Sequence, residues 1–124
     1  MDELRDLAGH GITIGAHTVH HPQLPRQDRA TQVREMSDSR VVLERITGSS
    51  VPDLAYPFGA FDETTIAAAA EAGLARAFTC EPRAVTAADD PLRLPRLDPQ
   101  EPAPDRFAAR VLLALDSSKR RCAP

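Results

Sequence analysis

The chain has 124 residues, enough for one domain, and its hydrophobic fraction of 42% is ordinary for a packed globular protein. A formal net charge of −3 gives no reason to expect nucleic acid as a partner. No apolar stretch is long enough to span a bilayer, and residues 1–16 lack the pattern of a signal peptide. The cytoplasm is therefore only the default expectation, and the compartment stays unknown.

The pattern of apolar residues predicts alternating helices and strands. Residues 2–8 predict the end of a helix, and residues 12–16, which alternate apolar with small or polar side chains, predict a short strand. A long helix is predicted from near Asp28 to Thr47, with Gly48 as its stop. The later predictions are a strand at 51–56, a helix at 63–72 capped by Asp62, a strand at 74–79 and a helix at 104–115.

This order predicts βα units and a largely parallel sheet, so the predicted fold class is α/β. Three strands and four helices are few for a closed barrel, and the chain begins inside a predicted helix. We therefore expect part of a larger α/β unit whose N-terminal portion is missing from this polypeptide. The expected organisation is one partial domain at 1–116 and a flexible tail at 117–124. An exposed sheet edge would also make self-association a risk.

The clearest chemical signal is the segment His17-Thr18-Val19-His20-His21-Pro22. One helical turn would place His17 and His21 on the same side, roughly 6 Å apart at Cβ, which suits two nitrogens on one divalent cation. Pro22 predicts that this turn is short and belongs to a loop. The loop would follow the carboxyl end of a strand, where α/β folds build their sites. The competing interpretation is a chance cluster of surface histidines.

Several motifs in register resemble the polysaccharide deacetylase family, the NodB-like carbohydrate esterases, over the C-terminal portion of their domain. The family's His-Ser/Thr-x-x-His motif, usually followed by Pro and Leu, is similar to residues 17–22 and Leu24. Leu54-Ala55-Tyr56-Pro57-Phe58-Gly59 resembles a variant of its third motif. Residues 74–79 and 94–98 are similar to its later strands, so the resemblance runs from about residue 3 to 115.

The resemblance implies a deformed (β/α) barrel, incomplete here because it lacks the N-terminal strand or strands, with its site at the carboxyl ends of mostly parallel strands. It implies metal-dependent removal of N-acetyl groups from carbohydrate, which is hydrolysis of an amide C–N bond that is not a peptide bond. By resemblance, His17 and His21 are the two imidazole ligands of a divalent metal, most often zinc. Thr18 would brace their loop by hydrogen bonding.

The resemblance also assigns roles to the third motif. Phe58 would lend its backbone N–H to the oxyanion, and Tyr56, Pro57 and Phe58 would contact the sugar substrate. Ordinary core packing is the competing interpretation of the two aromatic rings. Arg96 could supply a catalytic guanidinium, and a surface or loop-bracing role is equally open.

Other parts of the family pattern are absent from this sequence. The Thr-Phe-Asp-Asp-Gly-like string that supplies the base and the third ligand does not occur, and Asp89-Asp90 lies in a predicted loop and is rejected as a substitute. No histidine follows His21 to supply the family's late Leu-x-His acid, and Ala55 stands where the common third motif has Arg. Three functions therefore stay open: a deacetylase, a non-catalytic sugar-binding module or pseudoenzyme, and a hydrolase of small non-sugar amides.

Overall fold

The computed structural model describes residues 2–98 and 104–121. Within these ranges the helices are α1 Asp2–Gly9, α2 Arg29–Thr47, α3 Glu63–Glu71 and α4 Pro104–Arg121. The strands are β1 Asp53–Ala55 and β2 Arg76–Phe78. Single 3-10 turns occur at Leu24–Arg26, Pro57–Gly59 and Pro91–Arg93.

The two strands pair in parallel, and single bridges extend the pairing on both sides. Ala16 bridges to Leu54 of β1, and Leu94 bridges to Phe78 of β2. Four backbone segments therefore lie side by side in the order 16, β1, β2 and 94, with the same direction. Their carboxyl ends meet at one edge, which we call the carboxyl rim and define as residues 17–21, 56–59, 79–80 and 95–96.

The parallel α/β arrangement is confirmed, but the strands are shorter than predicted. The strand prediction at 12–16 is wrong: only Ala16 is bridged, through its N–H to Asp53 O (2.7 Å) and its carbonyl to Ala55 N (3.0 Å). β1 is confined to three residues because Pro52 and Pro57, which flank it closely, cannot donate a ladder hydrogen bond. A two-stranded sheet with single bridges does not by itself make a barrel.

The helices α2 and α3 begin and end as their sequences predict. The Asp28 carboxylate accepts from Thr31 N (2.9 Å) at the start of α2, and Gly48 ends that helix with φ 70°. The Asp62 carboxylate accepts from Thr65 N (2.8 Å) at the start of α3. Such side-chain acceptors satisfy amides that the first turn leaves without a partner. These caps fix how far the helices reach along the sheet.

The hydrophobic core lies between the sheet and these two helices. α2 contributes Met36 and α3 contributes small side chains, which let the helix approach the sheet closely. The fully or almost fully buried apolar residues are Ala16, Leu24, Met36, Val51, Leu54, Tyr56, Ala68, Ala69, Ala72, Leu74 and Ala77. The core therefore reaches the carboxyl rim at Tyr56, whose buried side chain belongs to the core, and ends beside it at Ala16.

Helix α4 continues to Arg121, past its predicted end at residue 115 and into the predicted tail. Residues 122–124, the rest of that tail, lie outside the described residues. The division into a domain at 1–116 and a tail stays a prediction. In the described ranges, no helix combines the length and the apolar character that crossing a membrane would require.

Candidate metal and substrate site

His17 is oriented by its neighbours on the sheet. The backbone of Ala16, the residue before it, is hydrogen-bonded to β1, and the His17 ring places Nδ1 2.7 Å from the carbonyl oxygen of Ala55. Because a carbonyl oxygen only accepts, we assign the proton to Nδ1, which donates it to Ala55. Nε2 is then left with a lone pair. Metal-binding histidines in proteins almost always have such a hydrogen-bond partner on the opposite ring nitrogen.

His21 lies beside His17 as predicted, but the backbone conformation between them differs from the predicted one. Residues 17–21 do not form a helical turn, so that prediction is wrong: Thr18 and His21 have φ values of 66° and 54°. The hydroxyl of Thr18 accepts a hydrogen bond from His21 N (3.1 Å) inside the loop. Left-handed φ values at non-glycine residues cost of order 1–3 kcal/mol each and persist only where surrounding contacts hold them.

The two imidazoles nevertheless lie together at the surface. Their ring centroids are 4.7 Å apart and their planes are inclined by 67°, with both residues exposed. Two nitrogens bound to one tetrahedral zinc at about 2.0–2.1 Å would be roughly 3.3 Å apart, which rings at this separation can reach. The donor types and the free Nε2 of His17 fit a divalent cation.

A complete ligand set is not present in the described part of the chain. Within residues 2–98 and 104–121, no group of three or more His, Cys, Asp or Glu side chains could hold a metal ion. A catalytic zinc usually has three protein ligands and one open position. The pair of imidazoles would supply two of the three protein ligands that such a site needs.

Glu35 of α2 is a site residue that the sequence analysis missed. Its Oε2 accepts from both Val19 N and His20 N (2.9 Å each), and its Oε1 lies 2.7 Å from Nδ1 of His20. Burial acts to raise the pKa of Glu35, but the hydrogen bonds from His20 and Val19 outweigh it and the pKa is lowered. A signal was available: Glu35 directly precedes the buried Met36 and so lies at the border of the core-facing side of α2.

Phe58 contributes both a backbone N–H and an exposed ring to the rim. It lies in the 3-10 turn Pro57–Gly59 with φ 59°, and its ring centroid is 4.5 Å from that of His21. Its side chain is 62% exposed. The N–H of Phe58 lies in the first turn, and no hydrogen-bond acceptor for it occurs among the described residues. This N–H is therefore available to a ligand.

Gly59 holds this turn against the next strand. A Cβ at Gly59, where φ is 64°, would lie 2.7 Å from both Cβ and Sγ of Cys80. Only glycine allows the 56–59 segment to approach the end of β2 so closely. The contact fixes the height of Phe58 on the carboxyl rim.

The side chains of Tyr56 and Pro57 are buried in the described structure, and their predicted contact with substrate stays a prediction. Tyr56 is 0% exposed and donates its hydroxyl to Leu92 O (2.8 Å). Its ring stacks on Phe61 at 5.6 Å. Burial raises the pKa of Tyr56, with a smaller contribution from Asp90. Core packing, the competing interpretation, holds for Tyr56 and fails for Phe58.

Arg96 lies further along the rim, where it braces the chain. Its Nε donates to Thr79 O (2.9 Å), and its Nη2 lies 3.9 Å from Cys80 Sγ. It lines a cavity of about 440 Å³ together with Cys80, Pro82, Leu97, Asp98 and Arg110. No contact described for Arg96 links it to His17 or His21, so a catalytic role for it stays a prediction.

The Asp89-Asp90 pair makes structural contacts in its loop, and its rejection as a catalytic pair stays a prediction. Asp89 binds the Arg83 guanidinium and accepts from Thr86 N (2.7 Å). The Arg83 side chain, followed by Thr86, holds the pKa of Asp89 well below its usual range. Asp90 accepts from Leu92 N (2.8 Å) at the turn Pro91–Arg93.

The family model for polysaccharide deacetylases matches residues 1–77, more than half of the 124-residue chain. The chain belongs to the polysaccharide deacetylase family. Within that family, YxkH of Bacillus subtilis strain 168, itself named as a polysaccharide deacetylase, is 31% identical over 85 residues. That alignment covers 68% of this chain and 30% of YxkH.

Solved structures of deacetylases have the same fold. The Streptococcus pyogenes deacetylase PplD, solved in complex with acetate, matches with a TM-score of 0.79 and 26% identity, over 91% of this chain and 49% of its own. BC0361, a polysaccharide deacetylase from Bacillus cereus, matches with a TM-score of 0.80 and 25% identity, over 89% and 35%. The chain therefore spans about a third to a half of the length of these relatives.

The fold is also shared by a protein described as non-catalytic. A mutant of BA3943, a CE4 family pseudoenzyme, matches with a TM-score of 0.66 at 16% identity, over 90% of this chain and 36% of its own. At that identity the likeness concerns the fold alone. The family is therefore shown for this chain, and its chemistry depends on the residues at the carboxyl rim.

Proposed function

We propose that this chain carries the imidazole pair and the oxyanion donor of a divalent-metal-dependent polysaccharide deacetylase, which hydrolyses the amide bond of N-acetylated carbohydrate. The observation that carries the proposal is the exposed pair of His17 and His21, with ring centroids 4.7 Å apart on the carboxyl rim. Family membership supports the substrate class. The relative PplD, whose structure holds acetate, the product of such a hydrolysis, supports it as well.

Zinc is the proposed metal, because neutral imidazoles suit it and it needs no special geometry beyond a tetrahedron. When bound, the metal would polarise the amide carbonyl and lower the pKa of a water molecule. His17 would bind through Nε2, since its Nδ1 is held by the carbonyl of Ala55. His21 would complete the pair.

Phe58 would serve the reaction through its backbone. Its N–H, which has no acceptor among the described residues, would donate to the oxygen that becomes negative when water adds to the carbonyl. Such a donor is worth about 3–4 kcal/mol in the transition state. The exposed ring of Phe58 beside His21 would offer a flat apolar face to the sugar.

A third ligand and a base are still required. We propose that a segment outside the described residues supplies both the third ligand and the base. This segment would pair with residues 12–15, beside Ala16, and complete a deformed (β/α) barrel. Two observations support this: residues 12–15 form no ladder, and the relatives are two to three times longer than the part that this chain covers. An unpaired segment at a sheet edge is a ready site for a further strand.

A second candidate is a sugar-binding pseudoenzyme that keeps the rim but not the chemistry. The observation that favours it is the lack of a three-ligand group among the described residues. A small-amide hydrolase of the same superfamily differs only in substrate. Acetate release from an N-acetylglucosamine oligomer by residues 1–124 with zinc would exclude the pseudoenzyme. We expect no such release from this chain alone.

The ligand assignment is tested by zinc titration of the chain by isothermal calorimetry. We expect measurable binding to the original chain, and a loss of about tenfold or more in affinity for His17→Ala and for His21→Ala, since each removes one of two ligands. His10→Ala is the matched control, because His10 lies in the turn after α1 and its Nδ1 is 2.8 Å from Asp6 O. Unchanged zinc affinity in both ligand variants would overturn the assignment.

A further inference from the structure

The loop that carries the two imidazoles is held in its unusual shape by one carboxylate. Thr18 and His21 both have left-handed φ values, and the two residues between them, Val19 and His20, present consecutive N–H groups. Both N–H groups point at the same oxygen, Oε2 of Glu35, at 2.9 Å. The acceptor belongs to α2, so a rigid helix fixes the middle of the loop.

The second oxygen of the same carboxylate controls the third histidine. Oε1 of Glu35 lies 2.7 Å from Nδ1 of His20. The Glu35 side chain is 12% exposed, whereas that of His20 is 78% exposed. The Glu35 carboxylate is therefore surrounded by three hydrogen-bond donors and has little access to water. His20 is therefore turned towards α2, and of three histidines within five residues only His17 and His21 face each other.

We propose that Glu35 is a positioning residue that sets the distance between the His17 and His21 imidazoles by fixing the backbone of Val19 and His20. Glu35 touches neither imidazole of the pair. Without it, the two left-handed residues would have less to hold them in place. The significance of this role for catalysis rests on the proposed function, since it concerns the same pair of imidazoles.

We call the Glu35 carboxylate with its two hydrogen bonds to Val19 N and His20 N the clamp. Because it depends on an acceptor oxygen at this position of α2, variants that keep or remove that oxygen should behave differently. Glu35→Gln keeps a side-chain oxygen for the two N–H groups, whereas Glu35→Ala removes it. Asp38→Ala is the matched control: it deletes an exposed carboxylate one turn further along α2, beside the same surface hollow that Val19 and His20 line. All three variants and the original chain can be studied as the whole 124-residue chain.

Two measurements test the clamp, and the first needs no metal. Amide hydrogen exchange by NMR in the metal-free protein should show Val19 N and His20 N exchanging about tenfold faster or more in Glu35→Ala, with the core amides of β1 unchanged. Glu35→Gln and Asp38→Ala should stay within about threefold of the original chain. Zinc affinity should follow the same order, with a loss of about tenfold in Glu35→Ala only.

The outcomes separate this inference from the proposed function. Unchanged exchange at Val19 and His20 in Glu35→Ala would overturn the clamp, as would Glu35→Gln behaving like Glu35→Ala. Faster exchange in Glu35→Ala with unchanged zinc affinity would also overturn it, provided that His17→Ala weakens zinc. If instead neither His17→Ala nor His21→Ala weakens zinc binding, the proposed metal site fails, whereas loop exchange still reports whether Glu35 fixes the loop. If Glu35→Ala unfolds, retention of both properties in Glu35→Gln supports the clamp and their loss contradicts it.

Discussion

The phenol of Tyr56 shows how closely core and rim are joined in this small domain. Its ring is buried, and its hydroxyl ties β1 to the loop at Leu92, while the next residue but one, Phe58, is the most exposed aromatic of the motif. Two aromatic residues of one motif, separated by a single proline, therefore differ: one packs in the core and the other is exposed at the surface. The apolar-aromatic-Pro-aromatic string in the sequence carries no mark of which ring faces inward.

Tyr56→Phe should lower the free energy of unfolding by about 1 kcal/mol at neutral pH, because Leu92 O loses its donor inside the protein. The pH dependence should differ as well. Burial raises the pKa of Tyr56 above the value of about 10 expected in the unfolded chain. The folded protein then binds more protons than the unfolded one above pH 10, so stability falls as pH rises there.

Denaturant titrations between about pH 8 and pH 11.5 check this prediction. The original chain should lose stability more steeply above pH 10 than Tyr56→Phe, so the two curves should converge as pH rises. Other alkaline groups are common to both proteins and cancel in the difference. Parallel curves throughout this range would contradict the buried, neutral phenol.

At the scale of elements, one glycine contact fixes the height of the Phe58 turn on the rim. Gly59 and Gly48 both have positive φ values, 64° and 70°. A Cβ at Gly48 would meet nothing within 4 Å, whereas one at Gly59 would meet Cys80 at 2.7 Å. The two positions therefore share the backbone cost of a side chain and differ in the collision.

Gly48→Ala should destabilise the protein by roughly 1–2 kcal/mol, the cost of a left-handed alanine. Gly59→Ala should cost about 1–3 kcal/mol more, because the turn must also move away from the backbone and side chain of residue 80. Thermal or denaturant unfolding of both variants measures the difference. Equal losses would show that the approach of Gly59 to Cys80 is looser than described.

These elements also show what could be predicted from the sequence and what could not. The bounds of α2 and α3 follow from local signals, namely Asp28, Asp62 and Gly48, which act on amides and carbonyls within one turn. The sequence also places His17 and His21 at the end of a sheet segment correctly. The loop conformation between them could not be predicted, because it depends on Glu35, an acceptor that is distant in sequence.

The strand at 12–16 fails for a related reason. Alternating apolar residues predict an extended segment, but a strand exists only where a neighbour pairs with it, and here pairing reaches Ala16 alone. Ile12 is 51% exposed, so about half of this apolar residue is left uncovered in the described structure. The sequence pattern predicts which side chains favour burial, but it does not identify the strand that would pair with the segment and cover them.

For the molecule as a whole, the consequence is an apolar cleft beside the incompletely paired segment. Val19 of the histidine loop and Val42 of α2 are both 51% exposed, and they line a shallow cavity of about 360 Å³ together with Leu43, Ser39, Gly15, His17 and Thr18. Exposed apolar surface next to an open sheet edge favours association of copies. Self-association of the isolated chain is therefore the expected behaviour at high concentration.

Sedimentation velocity over a range of about 5–200 μM tests this at the level of the whole molecule. The original chain should show a larger weight-average sedimentation coefficient as its concentration rises, and Val42→Lys should remove most of that rise by placing a charge in the cleft. Val85→Lys is the matched control, because Val85 is 52% exposed and lies in a loop outside the residues that line the cleft. A sedimentation coefficient that is independent of concentration in the original chain, or an equal effect of both lysines, would show that the cleft does not drive association. An effect of Val42→Lys alone would place the association at the side of the sheet where we propose that a further strand pairs.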